Sequence, residues 1–410
     1  MSTIKPFKAI RPAADKVARV ASHAVERYSA TTIQNILQTN PFSFLQVINA
    51  GRAHKDNYTE QLHAIKNKFE EFKNTHIFEQ DAEPCFYIYR QIKDGRSHTG
   101  IIALASVEEY EKGTIKIHEQ TLAEREKKLK EYLTVCDFNA EPVCLTHPYH
   151  NDLHLFLAER SKDAPLYNFE ADSIQHAVWK VSDSEGLNKI FTIFKTIPDL
   201  YIADGHHRAA SSALLAKAAK ENNKSHTGNE AYNFFMAAFF ADTELTIFNF
   251  DRMVSTLNSH THESFFKELE NNFEIKAFGK QVCKPSSAKE ISLYTEGQWF
   301  LLKTRDGVNK GADPVNSLDV SVLSNFILGP ILNITDLRND KRITFIPGVK
   351  DIEEIQKNVD NGKMKAAFCL YPISFSELKA VADIGKEMPP KSTWIEPKFE
   401  SGLLIYSLTN

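Results

Sequence analysis

The segment Leu200-Tyr201-Ile202-Ala203-Asp204-Gly205 constrains this chain more than any other. Four apolar residues read as a short buried strand and Asp-Gly supplies a turn. An Ala- and Leu-rich helix is then predicted from about Ala209 to Lys220, with no spacer between. A strand that feeds directly into a helix fits an α+β or mixed α/β architecture. The remaining pattern agrees. Helices are predicted over 29–38, capped by Ser29, and over 58–74, where Leu62, Ile65, Phe69 and Phe72 recur at helical spacing. Residues 84–92 and 99–107 read as a hairpin turning at Asp94-Gly95. The short strand-like run 113–117 precedes a charged helix over 119–133. A strand at 177–181 is followed by a helix over 187–196, which Pro198 ends.

The second half is expected to hold strands at 232–240 and 245–250, a helix over 262–272, a hairpin turning at Glu296-Gly297, an apolar helix over 317–332 and a buried strand at 366–371. This order is α+β or mixed α/β rather than a regular βαβ array, and no internal repeat appears. At 410 residues the chain is long for one core. The polar stretch 219–230 places a soft boundary between a 1–225 region and a 226–410 region, with the C-terminal segment free to return to the first.

Charge and cysteine usage narrow the partners. Lys plus Arg number 49 against 53 Asp plus Glu, a net of −4, which gives no overall attraction to nucleic acid and argues against it as a partner, though a local basic site is allowed. The start of the chain has no apolar signal-peptide core and no later stretch approaches a membrane span, so the expected location is the cytoplasm. Five widely spaced cysteines without a C-x-x-C pair suggest reduced, buried thiols.

The chemistry concentrates at Asp204-Gly205-His206-His207-Arg208. A strand ending in Asp-Gly and opening a helix leaves backbone N–H groups unpaired at the helix start, and these with the helix dipole favour an anion such as phosphate. Arg208 adds a forked donor matched to phosphate oxygens. His206 and His207 can donate hydrogen bonds or act as acid or base near neutral pH. Asp204 can cap the helix, ligate magnesium, or accept a proton. A merely solvated first turn fits less well, because cations are disfavoured at a helix N-terminus. Adjacent histidines without H-x-x-x-H spacing argue against a two-His metal site. The P-loop, the dinucleotide-binding glycine motif and G-x-S-x-G are all absent. His118-Glu119 precedes the charged helix, where Glu119 is either a catalytic carboxylate or a first-turn acid complementing the dipole; spacing does not choose between them.

Taken together, several blocks resemble the domain-of-unknown-function family numbered 1015, grouped with the ParB and sulfiredoxin-like superfamily. They are Ile4-Lys5-Pro6-Phe7 with Ile10-Arg11-Pro12, Asn40 to Leu45, His118-Glu119 with Thr121, Tyr201 to Arg208, Pro390 to Trp394, Glu396-Pro397-Lys398 and Ser401-Gly402-Leu403. The resemblance implies a ParB-like core in the N-terminal half, whose Gly-x-x-Arg turn holds nucleotide phosphates. From it follow the expected cofactors, a nucleoside tri- or diphosphate (ATP, ADP or CTP) with magnesium, and the further candidates Arg11, Glu26, His118, Lys391 and Lys398. The chain departs from the family at His23-Ala24-Val25-Glu26-Arg27, where Arg-Pro-Tyr-Asp-Val is usual, and at Arg125 and Lys128-Leu129, where Lys and Asp-Arg are usual.

The leading expectation is phosphoryl transfer between a nucleotide and a small hydroxyl compound such as serine, or phosphoserine in the reverse direction. Gly205, His206, His207, Arg208, Lys391 and Lys398 would hold phosphate, and Glu119, Asp204 or His206 would move the proton. The alternatives are a nucleotide-binding regulator without turnover and, less well supported, a ParB-like nucleic-acid module.

Overall fold

The computed structural model describes residues 2–54, 56–309, 311, 313–350 and 352–409. The polypeptide falls into two compact units. The first comprises residues 1–117, 121–245 and 397–410, and the second 118–120 and 246–396.

The first unit is built on a nine-stranded mixed sheet. In spatial order the strands are Ile115–Lys116, Leu200–Asp204, Val143–His147, Phe234–Ala241, Arg96–Ser106, Phe86–Lys93, Ile174–Val181 and Tyr167–Ala171, with Ile4–Lys5 pairing to Arg96–Ser106. Val143–His147 runs parallel to Phe234–Ala241 and antiparallel to Leu200–Asp204. The Phe234–Ala241 strand, FFMAAFFA, is apolar at every position because it sits inside the sheet with both faces covered. Asp94 and Gly95, at φ +49° and +75°, make the tight turn of the Phe86–Lys93/Arg96–Ser106 hairpin. A second core cluster packs Leu62, Phe69 and Phe72 of the Tyr58–Asn74 helix against Phe44, Phe78, Phe138 and Ile405. Gly402 allows this packing, since at φ +79° any Cβ would lie 2.6 Å from the Phe44 ring.

In the second unit a six-stranded antiparallel sheet has the order Phe273–Gly279, Gln298–Thr304, Glu290–Thr295, Ala366–Leu370, Phe250–Val254 and Ile343–Pro347. Its hairpin turns at Glu296-Gly297 as the sequence implies.

Several elements differ from expectation. The charged helix begins at Ala123 rather than Glu119 and runs to Cys136. Glu119 therefore does not complement that helix's dipole. The apolar helix expected over 317–332 is an α-helix only over Asp319–Leu323 and a π-turn over Ser324–Leu328, and it stops ahead of Pro330, whose ring removes a donor. The helix after Gly205 reaches Asn222, which consumes the start of the polar stretch. All five cysteines are free and buried. Among the described residues no helix is long and apolar enough to cross a membrane.

One ion cluster anchors the N-terminal segment of the first unit. Asp81, only 4% exposed, accepts from Arg11 at 3.1 Å, from the Tyr87 hydroxyl at 2.6 Å and from Lys180 at 3.0 Å. Burial pushes its pKa up, but these three donors outweigh burial and hold it below the usual value. Asp81→Ala takes from Arg11 and Lys180 their shared buried carboxylate and leaves Arg11, among the described residues, only Tyr167 and the exposed Glu79, and urea unfolding should show a loss of about 3 kcal/mol. The depressed pKa fixes the pH sense. The contribution is complete above the unfolded carboxylate value near ~3.9 and is lost as pH falls through the lower folded value. Acid unfolding of Asp81→Ala should therefore lack this low-pH component.

Candidate functional site

The site grows out of an irregularity in the sheet. Pairing of Leu200–Asp204 with Val143–His147 runs from Ile202 opposite Leu145 to Asp204 opposite Cys144, so Ala203 is bulged out. A bulge re-aims the side chain that follows it. Gly205 then turns at φ +97°, a conformation only glycine takes without strain, and the His206–Asn222 helix starts at once. Among the described residues no side chain caps this helix and no acid lies in its first turn, so the helix start is electrostatically suited to an anion.

Two cations are held beside the turn. Asp204 accepts from Lys398 Nζ at 2.8 Å through Oδ1 and from Arg208 Nη2 at 3.0 Å through Oδ2. Arg208 Nη1 also pairs with Glu141, and the Ser401 hydroxyl donates to the other Glu141 oxygen at 3.4 Å. The Arg208 guanidinium folds back over Gly205 closely enough that a Cβ there would lie 2.8 Å from Nη2. Burial would raise the Asp204 pKa, but Lys398 and Arg208 outweigh it and bring it down to about 2. Burial likewise opposes the charge on Arg208, and Glu141 with Asp204 more than restores it.

His206 is buried at the start of the helix. His207 is half-buried, and its Nδ1 has no hydrogen-bond partner among the described residues. Burial and the nearby Arg125 lower its pKa, so it is neutral at pH 7. Beside Arg208 a cavity of about 240 Å³ is lined by Glu26, Tyr132, Glu141, Ser211 and Ser401. Glu26 is exposed within a short 3-10 turn and faces Arg125 at 3.9 Å.

The other sequence candidates are placed differently. Arg11 is engaged with Asp81 and with the Tyr167 hydroxyl, at 2.9 Å, in the anchoring cluster. His118 and Glu119 belong to the second unit, where the His118 carbonyl accepts from the Met388 N–H at 2.8 Å. Lys391 is also there, at φ +56°, with its carbonyl accepting from Arg252 at 2.9 Å and its ammonium over the Phe250 ring. Sequence reasoning missed Glu141, because an acid just before a strand carries no pattern, and it missed Ser401 as a partner of Glu141.

Magnesium was expected on Asp204, but both of its carboxylate oxygens are committed to cations and Glu141 is taken by Arg208 and Ser401. Asp204 so disposed does not fit a direct metal ligand. Among the described residues no group of three His, Cys, Asp or Glu is placed to hold a metal.

A family model described as "Protein of unknown function (DUF1015)" matches residues 4–321. No curated protein sequence matches the chain. Solved structures similar to it include SbnI with C-terminal truncation from Staphylococcus aureus, 13% identical, covering 75% of this chain and 87% of that one, TM-score 0.39. A free serine kinase in complex with AMP is 12% identical over 74% of this chain and 92% of that one, TM-score 0.35. A conserved hypothetical protein from Pyrococcus furiosus is 12% identical over 75% and 95%, TM-score 0.36.

The ion network yields its own test. In Lys398→Met the Asp204 carboxylate loses its first cation, and carbon-detected NMR titration should show its pKa raised from about 2 by roughly one unit or more. An unchanged titration would show that Lys398 does not govern this carboxylate.

Proposed function

The chain belongs to the DUF1015 family, and from the geometry of its 204–208 turn we propose that it binds a nucleoside di- or triphosphate there and transfers a phosphoryl group to or from a small hydroxyl compound. Serine and phosphoserine are the first such compounds to test. One observation carries the reading. An uncapped helix start follows a left-handed glycine, with Arg208 and Lys398 held at its mouth by Asp204.

Phosphoryl transfer needs positioning and neutralisation of charge more than covalent chemistry. In this reading the helix amides receive phosphate oxygens while Arg208 and Lys398 offset the charge. A carboxylate with a pKa of about 2 is a weak base, so Asp204 orients the two cations rather than accepting a proton. His207, neutral and without a partner at Nδ1 among the described residues, is the group of the motif suited to take the proton of an acceptor hydroxyl. Glu119, in the second unit, is the carboxylate that the sequence offers as base, and Lys391 is a further phosphate ligand that it offers.

A second reading, a nucleotide sensor without turnover, is favoured by the pairing of Arg208 and Lys398. Both cations already have carboxylate partners, which a nucleotide would exchange for its phosphates.

The experiment is a thermal-shift and turnover screen with ATP, ADP or CTP, serine and phosphoserine, with and without magnesium. A nucleotide at 100 times its Kd should stabilise the parent by about 2.7 kcal/mol. Arg208→Ala should weaken that binding by roughly tenfold to a hundredfold. Turnover that requires both nucleotide and hydroxyl compound supports phosphoryl transfer, and His207→Gln should then lower kcat with little change in nucleotide affinity. A nucleotide shift without turnover supports the sensor. No shift with any of these nucleotides sinks both readings. Glu119→Gln separately tests that carboxylate, and undiminished turnover would remove it from catalysis.

A further inference from the structure

A larger cavity, of about 460 Å³, opens at the other end of the Val143–His147 strand, between the Asn151–Arg160 helix and the Phe86–Lys93/Arg96–Ser106 hairpin. Its volume lies within the range of about 300–1,000 Å³ usual for small-molecule sites. Leu153 and Leu157 of the helix and Phe239 of the central strand form an apolar wall. Polar groups converge from the other sides.

His147 is the informative one. It is 1% exposed, and its Nδ1 donates to the Pro148 carbonyl at 2.8 Å, which fixes the tautomer. Burial lowers its pKa, so at pH 7 the ring is neutral and Nε2 is a lone-pair acceptor. That Nε2 is buried and has no partner among the described residues. A buried acceptor without a donor is costly, and a ligand N–H or O–H would satisfy it. Glu244 is a second acceptor on this cavity; its Oε2 takes the Thr99 N–H at 2.8 Å.

The cavity also offers donors. The Arg90 guanidinium lies over the Trp179 ring at 4.7 Å and has no carboxylate partner among the described residues. The Ser161 hydroxyl has no partner among them either. Lys162 also lines the cavity and pairs with Glu159 at 2.5 Å on the exposed surface, so Arg90 is the lining Lys or Arg without a carboxylate partner among the described residues. One unpaired guanidinium in a cavity that Glu244 also lines suits a monoanionic carboxylate better than a multiply charged phosphate.

We propose that this cavity binds a small carboxylic acid carrying an amino or hydroxyl donor and an apolar side chain. The carboxylate meets Arg90, the donor meets His147 Nε2, and the side chain lies against Leu153, Leu157 and Phe239. An apolar α-amino acid and its 2-hydroxy analogue share this chemistry.

The test uses four near-isosteric probes, titrated by ligand-observed NMR against the full chain. They are L-leucine, 2-hydroxy-4-methylpentanoate, 4-methylpentanoate, which lacks the donor, and isoamylamine, which lacks the carboxylate. L-Leucine or the hydroxy acid should bind saturably, and removing either polar group should weaken binding by roughly tenfold. The better of the two identifies the donor as amino or hydroxyl. Arg90→Gln should abolish the preference for the carboxylate. Ala158→Trp, at an exposed helix position that lines the cavity, should fill it and abolish binding with the melting temperature kept. The assignment is overturned if neither leucine nor the hydroxy acid binds up to millimolar concentrations, if 4-methylpentanoate binds equally well, or if both variants bind as the parent does.

Discussion

One carboxylate holds the centre of the first unit together. Asp204 engages Arg208 from the helix that follows it and Lys398 from a segment almost two hundred residues later. Neither ion pair would count for much on an open surface, where the median is about 0–1 kcal/mol. Their weight here comes from linkage, because Arg208 passes the restraint to Glu141 and Glu141 to Ser401. The Ser401 backbone exchanges hydrogen bonds with Ser22, and the Gly402 N–H donates to Ala140 at 3.0 Å. The turn is thereby fixed to the neighbouring strand, to the N-terminal segment and to the C-terminal segment at once. An anion bound at Gly205 as proposed would meet groups that are already placed, so little ordering would remain to be done on binding.

The Val143–His147 strand presents different chemistry at its two ends. Near Cys144 it faces the Asp204 turn, and at His147 it meets the leucine-walled cavity. Three residues of strand span roughly 10 Å. The first end is rich in charge; the second sets the Leu153, Leu157 and Phe239 wall against His147, Glu244 and the Arg90 guanidinium. Compounds suited to one are therefore poorly suited to the other.

Local features were legible in the sequence. The Tyr58–Asn74 helix has its expected bounds because Leu62, Ile65, Phe69 and Phe72 make one buried stripe. Ser29 caps Ala30–Thr39 by accepting from the Thr32 N–H at 3.0 Å, and Asp94-Gly95 makes its hairpin turn. The Gly205 turn was legible for the same reason, since Asp-Gly between a strand and a helix has few conformations open to it. The partners of that turn were not. Glu141 is 67 residues from Arg208, and no periodicity reports a contact across such a separation. The Ala203 bulge depends on the register of a neighbouring strand. The start of the 123–136 helix was misjudged because residues 118–120 leave the first unit for the second, and a charged run reads alike on a helix or in a crossing.

That the first unit is discontinuous bears on how the protein comes to be made. Residues 246–396 form a separate unit inserted within it, and 397–407 return to pair with Ile10 and with Phe138–Asn139. On a ribosome adding about 5–20 residues each second, the Asp204 turn is complete many seconds before Lys398 and Ser401 emerge. During that interval Asp204 lacks one of its cations and Phe44 lies open where Gly402 will pack. The nascent first unit is thus an unfinished fold until residues 397–407 emerge, and Lys398 and Ser401 close its ion network only after residues 246–396 have been synthesised.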